Sequence, residues 1–554
     1  MDLHKIEQQN ENPFINSFLQ KNKEIVNLFD STTVDKNSLW QRSTEIDRYH
    51  NQDIDIASRA KIALHLQRYH ENLSSINKET GVNPIVQKNI NGFSKGMHTI
   101  VTGQQAGLFT GPIYTINKII CLLKTVKELE QMYNIKAIPI FWIASDDHDI
   151  SEVDYIKINS CIQLNKLSIK WQVKPQKSIA DISLTTSQIS ELLSSFSNIM
   201  PDSEFKKDII NKIGQAYKDT SLSISFAALL YNMFSQFGLV LYDAHDKEYR
   251  KLQTSFFIKT IKEAATILAG FNKGYQKVAN IGVTPQVNLN LNNTGLFIDK
   301  YSKRRVLYKN KDKFLIDKVD KLCTESEIID IATNEPNILS TNVLLRPLLQ
   351  EYMFQPLIYI GGPSEIMYWG QTKPLFKIFN YKMPIIVLRN SYTYLTPKTQ
   401  YKIHKNDIDI EETIKKFKLT QRVDPIKQGH YELESKITNL EDDIYKTYFE
   451  HIKLITSEHA QIKSIKHHAE ISWHKIKNEI NEFKHILQKQ HDLKIKNTLE
   501  DIRWIERELI PNGVLQERIL NIYQIINCVG IGFIEDIIND NCHTMDGKHY
   551  LVHI

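Results

Sequence analysis

Several short stretches of this 554-residue chain place chemistry-bearing residue types at the spacing that chemistry needs. Val101-Thr-Gly-Gln-Gln-Ala-Gly-Leu-Phe-Thr-Gly-Pro112 puts three glycines just ahead of an amphipathic helix pattern. Glycine lets backbone N–H groups approach a ligand closely, and a helix start favours bound anions. Gln104 and Gln105 add polar side chains that a bare turn does not need, and Tyr114 falls one turn into the helix. Further on, an apolar run ends in Ser145-Asp-Asp-His-Asp149, the densest titratable cluster in the chain. Carboxylates at a strand exit can hold a divalent metal on a triphosphate, anchor a substrate ammonium, or take its proton. A helix cap would account for one of these aspartates but not for all of them.

A second glycine turn, Gly361-Gly-Pro-Ser-Glu365, repeats the logic and opens a helix pattern carrying Tyr368 and Trp369. Arg346, within Leu344-Leu-Arg-Pro347, and Arg389 supply cations of the kind that grip carboxylates and phosphates bidentately. For Arg389 a structural ion pair fits equally well. Tyr242-Asp-Ala-His245 fits a loop with satisfied polar groups better than a base or a metal ligand. The first turn is not a Walker A loop, since Gly107 lacks the following Gly-Lys-Ser/Thr, and its glycine spacing is not that of the dinucleotide fingerprint.

These residues need a scaffold, and the apolar pattern supplies one. His98 to Thr102 reads as a strand. From Ile113 the positions Ile116, Ile119, Ile120, Leu123 and Val126 recur at helical spacing. Ala137 to Ala144 is a continuous apolar run, as in a parallel strand buried on both faces. The same alternation returns with a helix over Ser221–Phe237 before Leu239–Asp243. It returns again with Leu357–Ile360, a helix over Ser364–Phe379, and Pro384–Leu388. Strands alternating with helices predict an α/β fold with a doubly wound parallel sheet.

Residues 1–95 read as mostly helical, residues 96–425 as the core, and residues 161–220 and 261–340 as insertions on it. The second insertion carries short alternating strands around Gln286–Leu291 and Leu296–Ile298. Residues 426–510 change character: from Tyr431 on they lack Gly and Pro, and Ile462, Ile465, Ala469, Ile476, Ile480, Phe483 and Leu487 follow a three–four repeat with one position skipped. That predicts a coiled-coil hairpin or self-association arm. Residues 511–554 read as a return to the core, ending in a strand over His549–Ile554.

Composition excludes more than it selects. A net charge of +5 over this length decides nothing about partners. In the arm, basic and acidic residues interleave, which argues against nucleic acid. The polar N-terminus lacks an apolar signal region, and no window is long and apolar enough to span a bilayer. Cys121, Cys161, Cys323, Cys528 and Cys542 are scattered without a C-x-x-C spacing, which suits a reducing cytoplasm.

VTGQQAGLFTGPIYTINKII, FWIASDDHDISEVD, NVLLRPLLQ and IYIGGPSEIMYWGQTKP together resemble the cysteine ligase family of bacillithiol biosynthesis, the cysteine-adding enzymes. The resemblance runs from about residue 95 to 395 and continues more loosely to Gly547-Lys-His549. One departure is Asp146, where the family often has Glu. The resemblance implies a Rossmann-like core similar to class I aminoacyl-tRNA synthetases and nucleotidyl transferases, with connecting insertions and a coiled coil pairing two subunits. It also implies joining the carboxyl of L-cysteine to the amine of glucosaminyl-malate. Amide formation from a free carboxylate is uphill in water, so ATP is the simplest activator. On this reading Gly103, Gln104, Gly107, Thr110 and Gly111 hold the nucleotide or its phosphates. Asp147, His148 and Asp149 bind the substrate amine or a Mg²⁺ ion and assist proton removal. Arg346 and Arg389 hold the malate carboxylates, and Gln105, Tyr114, Gly361, Gly362, Glu365, Tyr368 and Trp369 line the substrate pocket. Another nucleotidyl transferase or adenylate-forming enzyme, or a non-catalytic nucleotide-binding scaffold, fits the same sheet.

Overall fold

The computed structural model describes residues 2–6, 12–51, 55–160, 163–288, 292–300, 303–319, 322–417, 419, 423–457, 462–540 and 545–554. It divides into two compact units, one of residues up to Thr396 together with Leu515–Ile554, the other Pro397–Val514.

The first unit is built on five parallel strands: β1 (His98–Gln104), β2 (Ala137–Ile143), β3 (Val240–Asp243), β4 (Ile358–Gly361) and β5 (Ile385–Leu388). Their spatial order is β3-β2-β1-β4-β5, every neighbouring pair parallel. This is the doubly wound order in which the chain leaves β1 first to one side and later to the other, opening a crevice at the carboxyl ends of β1 and β4. All seven residues of β2 are buried, which explains its unbroken apolar run. Helix α1 (Tyr114–Tyr133) crosses from β1 to β2 and buries Ile116, Ile119, Ile120 and Leu123 on the sheet. Asn134 ends it in the left-handed region at φ 55°, its N–H returning to the carbonyl of Glu130 and the Ile135 N–H to that of Leu129.

The helix expected over Ser364–Phe379 is two pieces, α2 (Pro363–Trp369) and α3 (Lys373–Ile378). Pro374 sits in the first turn of the second piece, where it has no N–H to continue the first. The region expected to be an insertion contains a five-stranded antiparallel sheet over Asn293–Lys300, Lys303–Asn310, Lys313–Ile316, Leu322–Thr324 and Leu339–Thr341. The strand expected around Leu296–Ile298 is the first of these. Gln286–Asn288 form no strand, and residues 289–291 lie outside the described residues. The N-terminal region is helical apart from a strand at Asp2–Ile6, which pairs with His549–His553. Ser391–Leu395 flanks the other side of that last strand.

The second unit carries two long helices, Val423–Ser457 and Ile462–Leu509. Tyr448 donates to the carbonyl of Ala469 at 3.2 Å, and Lys477 pairs with Glu441 at 2.9 Å, which fits an antiparallel hairpin. The skipped position in the repeat is Trp473, which is buried against Tyr445, Tyr448 and Phe449. Ala469 is also buried, whereas Phe483 is exposed. The side chains of Ile462 and Ile465 lie outside the described residues. Cys121, Cys323 and Cys528 form no disulfide, and Cys161 and Cys542 lie outside the described residues. Among the described residues no helix is long and apolar enough to cross a membrane.

Candidate active site

A cleft of about 700 Å³ lies over the carboxyl ends of β1 and β4, within the usual range of small-molecule sites. Gly103 closes β1 against β2 so tightly that a Cβ there would lie 2.5 Å from the carbonyl oxygen of Trp142. The Gly103 carbonyl accepts from Lys118 Nζ at 2.7 Å, and Gln104 Oε1 accepts from the same amine at 2.8 Å. Gln104 Nε2 in turn donates to the Tyr114 hydroxyl at 3.3 Å. Burial pushes that hydroxyl up to about 12.

The later part of the first glycine turn, from Gly107 on, is not in the cleft. Gly107, Thr110 and Gly111, expected to cradle phosphate, are buried beneath it. Asn521 Nδ2 donates to the carbonyls of Phe109 at 2.8 Å and Gly111 at 2.7 Å, and the Leu108 N–H is spent on Val153. Phe109 at φ 46° and Thr110 at φ 72° are in the left-handed region, held there by these contacts. A Cβ on Gly107 would lie 2.8 Å from the Gly111 Cα, so this glycine serves chain packing.

The second turn behaves differently. Gly362 lines the cleft, and its N–H donates to Glu365 Oε2 at 2.8 Å. The same oxygen accepts from Lys118 Nζ at 2.5 Å, and Glu365 Oε1 accepts from the Tyr359 hydroxyl at 2.7 Å. Arg346 donates to Tyr359, Tyr368 and Gln350 and lies 3.7 Å from Glu365. Burial alone would raise the Glu365 carboxyl, but Lys118 and Arg346 outweigh it and hold it below the ordinary range. Burial lowers the Lys118 amine. Gly361 and Trp369, expected in the pocket, lie behind it: Trp369 is buried with its ring stacked on Tyr359 at 4.3 Å. Arg389 borders the cleft, but its guanidinium is engaged bidentately by Glu517 at 2.7 and 2.9 Å. Arg346 and Arg389, expected to hold substrate carboxylates, are thus both engaged by protein groups in this wall, while Arg389 Nε is buried without a hydrogen-bond partner.

The acidic rim forms the other wall. Asp147 accepts from Gln105 Nε2 at 2.6 Å and from the His148 N–H at 2.7 Å, with Arg304 3.8 Å away. Burial would raise its carboxyl, yet Arg304 and these donors hold it below the usual aspartate value. Gln105 also binds Glu152 at 2.9 Å. Asp146 lies 3.7 Å from both Arg250 and Arg304. His148 is exposed on the cleft. Asp149 faces elsewhere and caps the short helical turn Ile150–Glu152, accepting from the Ser151 N–H at 3.1 Å. Asp243 and His245 form a buried loop: Asp243 accepts from Ser145 and from the His245 N–H, and His245 Nε2 pairs with Asp181 at 3.2 Å, while His245 Nδ1 has no hydrogen-bond partner. Among the described residues no group of three or more His, Cys, Asp or Glu side chains is placed to hold a metal.

Lys118, Arg304, Asn342 and Arg518 also line the cleft and escape the sequence reading. Lys118 had a visible signal, a lysine within the buried stripe of an amphipathic helix. Asn342 opens the NVLLRPLLQ motif, whereas Arg304 and Arg518 arrive from distant segments whose local sequence carries no motif.

Sheet order and crevice together define a Rossmann-like doubly wound α/β protein with a charged cleft at its switch point. The family model "Bacillithiol biosynthesis BshC, N-terminal Rossmann-like domain" matches residues 1–390, and "Bacillithiol biosynthesis BshC, C-terminal coiled-coil domain" matches residues 392–554. The chain belongs to this family. Proteins named "Putative cysteine ligase BshC" are similar along most of its length. One from Bacillus cereus is 27% identical over 466 residues, 82% of this chain and 84% of its own. One from Bacillus cytotoxicus is 26% identical over 496 residues, 88% and 90% of the two chains. A solved structure titled a putative arginyl-tRNA synthetase from Campylobacter jejuni aligns with TM-score 0.24 and 9% identity over 82% of this chain and 98% of that one, too weak a likeness to argue from.

Proposed function

We propose that this protein is a ligase that joins the carboxyl of L-cysteine to the amine of glucosaminyl-malate, driven by ATP, in the last step of bacillithiol biosynthesis. Family membership over both domains and the names of the relatives support the substrate class. The observation that carries the reading is a two-walled cleft at the switch point, with an ionised Asp147 on one wall and buried cations on the other.

An attacking amine must lose a proton before or as it bonds to the cysteine carboxyl carbon. Asp147, kept ionised, orients the ammonium, and the exposed His148 beside it takes the proton. Gly103, Gln104 and Gly362 line the nucleotide end of the cleft. Tyr114, Tyr368 and Gln105 shape the walls, and a Mg²⁺ ion brought in by the nucleotide would neutralise charge on its phosphates.

Purified chain incubated with L-cysteine, glucosaminyl-malate and ATP is expected to yield bacillithiol by mass spectrometry. Absence of product from folded protein with all three substrates overturns the reading, and AMP or ADP as co-product separates acyl-adenylate from acyl-phosphate activation. Asp147→Asn is expected to keep the fold and lose about 100-fold or more in kcat; full activity would remove Asp147 from the mechanism. We also infer a homodimer through the arm, since Leu454, Phe483, Ile486 and Leu493 are exposed on its long helices. Light scattering after chromatography is expected to give twice the chain mass.

A further inference from the structure

Nearly every cation in the cleft is already spent on the protein itself. Lys118 is committed to Gly103, Gln104 and Glu365. Arg304 donates to Ser340 and the Thr341 carbonyl, Arg346 to the two tyrosines, and Arg389 to Glu517. Arg518 differs. It borders the cleft and is exposed, and its guanidinium has no hydrogen-bond or carboxylate partner among the described residues.

Its backbone, by contrast, is clamped on both sides. Gln516 exchanges two hydrogen bonds with the backbone of Tyr394, at 2.8 and 3.0 Å. Glu517 holds Arg389 and accepts from Asn117 at 2.6 Å. The Leu520 carbonyl accepts from the Ile113 N–H at 2.9 Å, and Asn521 holds Phe109 and Gly111 as described. This segment therefore presents one free guanidinium from a backbone that needs no further ordering, an arrangement that lowers the entropic cost of binding. A guanidinium without a carboxylate partner matches an incoming carboxylate or phosphate oxygen.

We propose that Arg518 is a binding residue for an anionic oxygen of a substrate, carboxylate or phosphate, and that it helps decide which anion the cleft accepts. The identity of the substrates rests on the ligase reading; the free cation does not.

The test uses the full chain with Arg518→Gln and Arg518→Lys. KM for glucosaminyl-malate, ATP and L-cysteine is measured separately, with kcat and Tm. Arg518→Gln is expected to raise KM for one anionic substrate roughly 10–100-fold, leave Tm and the KM for L-cysteine unchanged, and be partly rescued by Arg518→Lys. A rise for glucosaminyl-malate identifies a carboxylate, and a rise for ATP a phosphate. Unchanged KM values for both overturn the proposal. If the wild type forms no product, the ligase reading fails separately, and calorimetric titration of wild type and Arg518→Gln with L-malate and with ATP then decides. Weaker binding of either probe by the variant supports Arg518, and equal affinity, including none, overturns it.

Discussion

The two glycine turns carry the same sequence signature, a strand end followed by glycines and a helix start, yet they end in different environments. After β1 the chain folds Gly107–Gly111 into the interior, where Asn521 and Val153 use its backbone groups. After β4 the chain leaves Gly362 on the cleft, with Glu365 tying its N–H to Lys118. A glycine-rich turn thus signals close backbone approach but not what approaches. In the first turn it is another part of the same chain; in the second there is open volume.

Substitutions can break or sharpen this contrast. The largest effect is expected at Glu365, which compensates two buried cations. Glu365→Gln leaves Lys118 and Arg346 without their anion and is expected to cost about 3–5 kcal/mol in stability, read by urea denaturation. Because the Glu365 carboxyl is held below its unfolded value, about 4.3, its stabilisation is present above that pH. It is lost as pH falls through the lower folded value. The variant is expected to lack that acid-side loss, and an identical acid limb in both proteins would remove Glu365 from its central place.

In the buried turn, Gly107→Ala drives a Cβ into the Gly111 backbone and is expected to destabilise by about 1–3 kcal/mol, seen as a lowered urea midpoint. Asn521→Ala strands two carbonyls and is expected to cost about 2 kcal/mol in the same assay. The smallest stability effect belongs to Gly362→Ala, whose Cβ would meet nothing nearer than Glu365 Oε2 at 3.4 Å. It is expected to leave the midpoint unchanged and raise KM a few-fold. Gly362→Ala unfolding like Gly107→Ala would erase the difference between the turns.

How much of this is legible in the sequence follows from the range of each force. The central strands are plain because burial on both faces leaves no polar alternation, as in Ala137–Ile143. The break between α2 and α3 is harder, since Trp369 and Phe376 continue a helical stripe across it. The acidic cluster is visible as a group, but only geometry separates Asp147, on the cleft, from Asp149, a cap. Arg346 and Arg389 are cations near the site as expected, and their partners Tyr368 and Glu517 decide that they are not free. Glu517 and Arg518 adjoin in sequence, one buried and bonded and one exposed and unpaired. No local pattern distinguishes them.

The strand at Asp2–Ile6 pairs with His549–His553, a segment far along the chain. On the ribosome, the strand at Asp2–Ile6 emerges with no partner and carries an unsatisfied edge until His549–His553 has been translated. Arg518 and Asn521 arrive in the same late stretch. A message truncated shortly before them encodes the five central strands but neither the clamp on the first turn nor the exposed guanidinium at the cleft, so its product would carry the sheet without the groups that dock on it late.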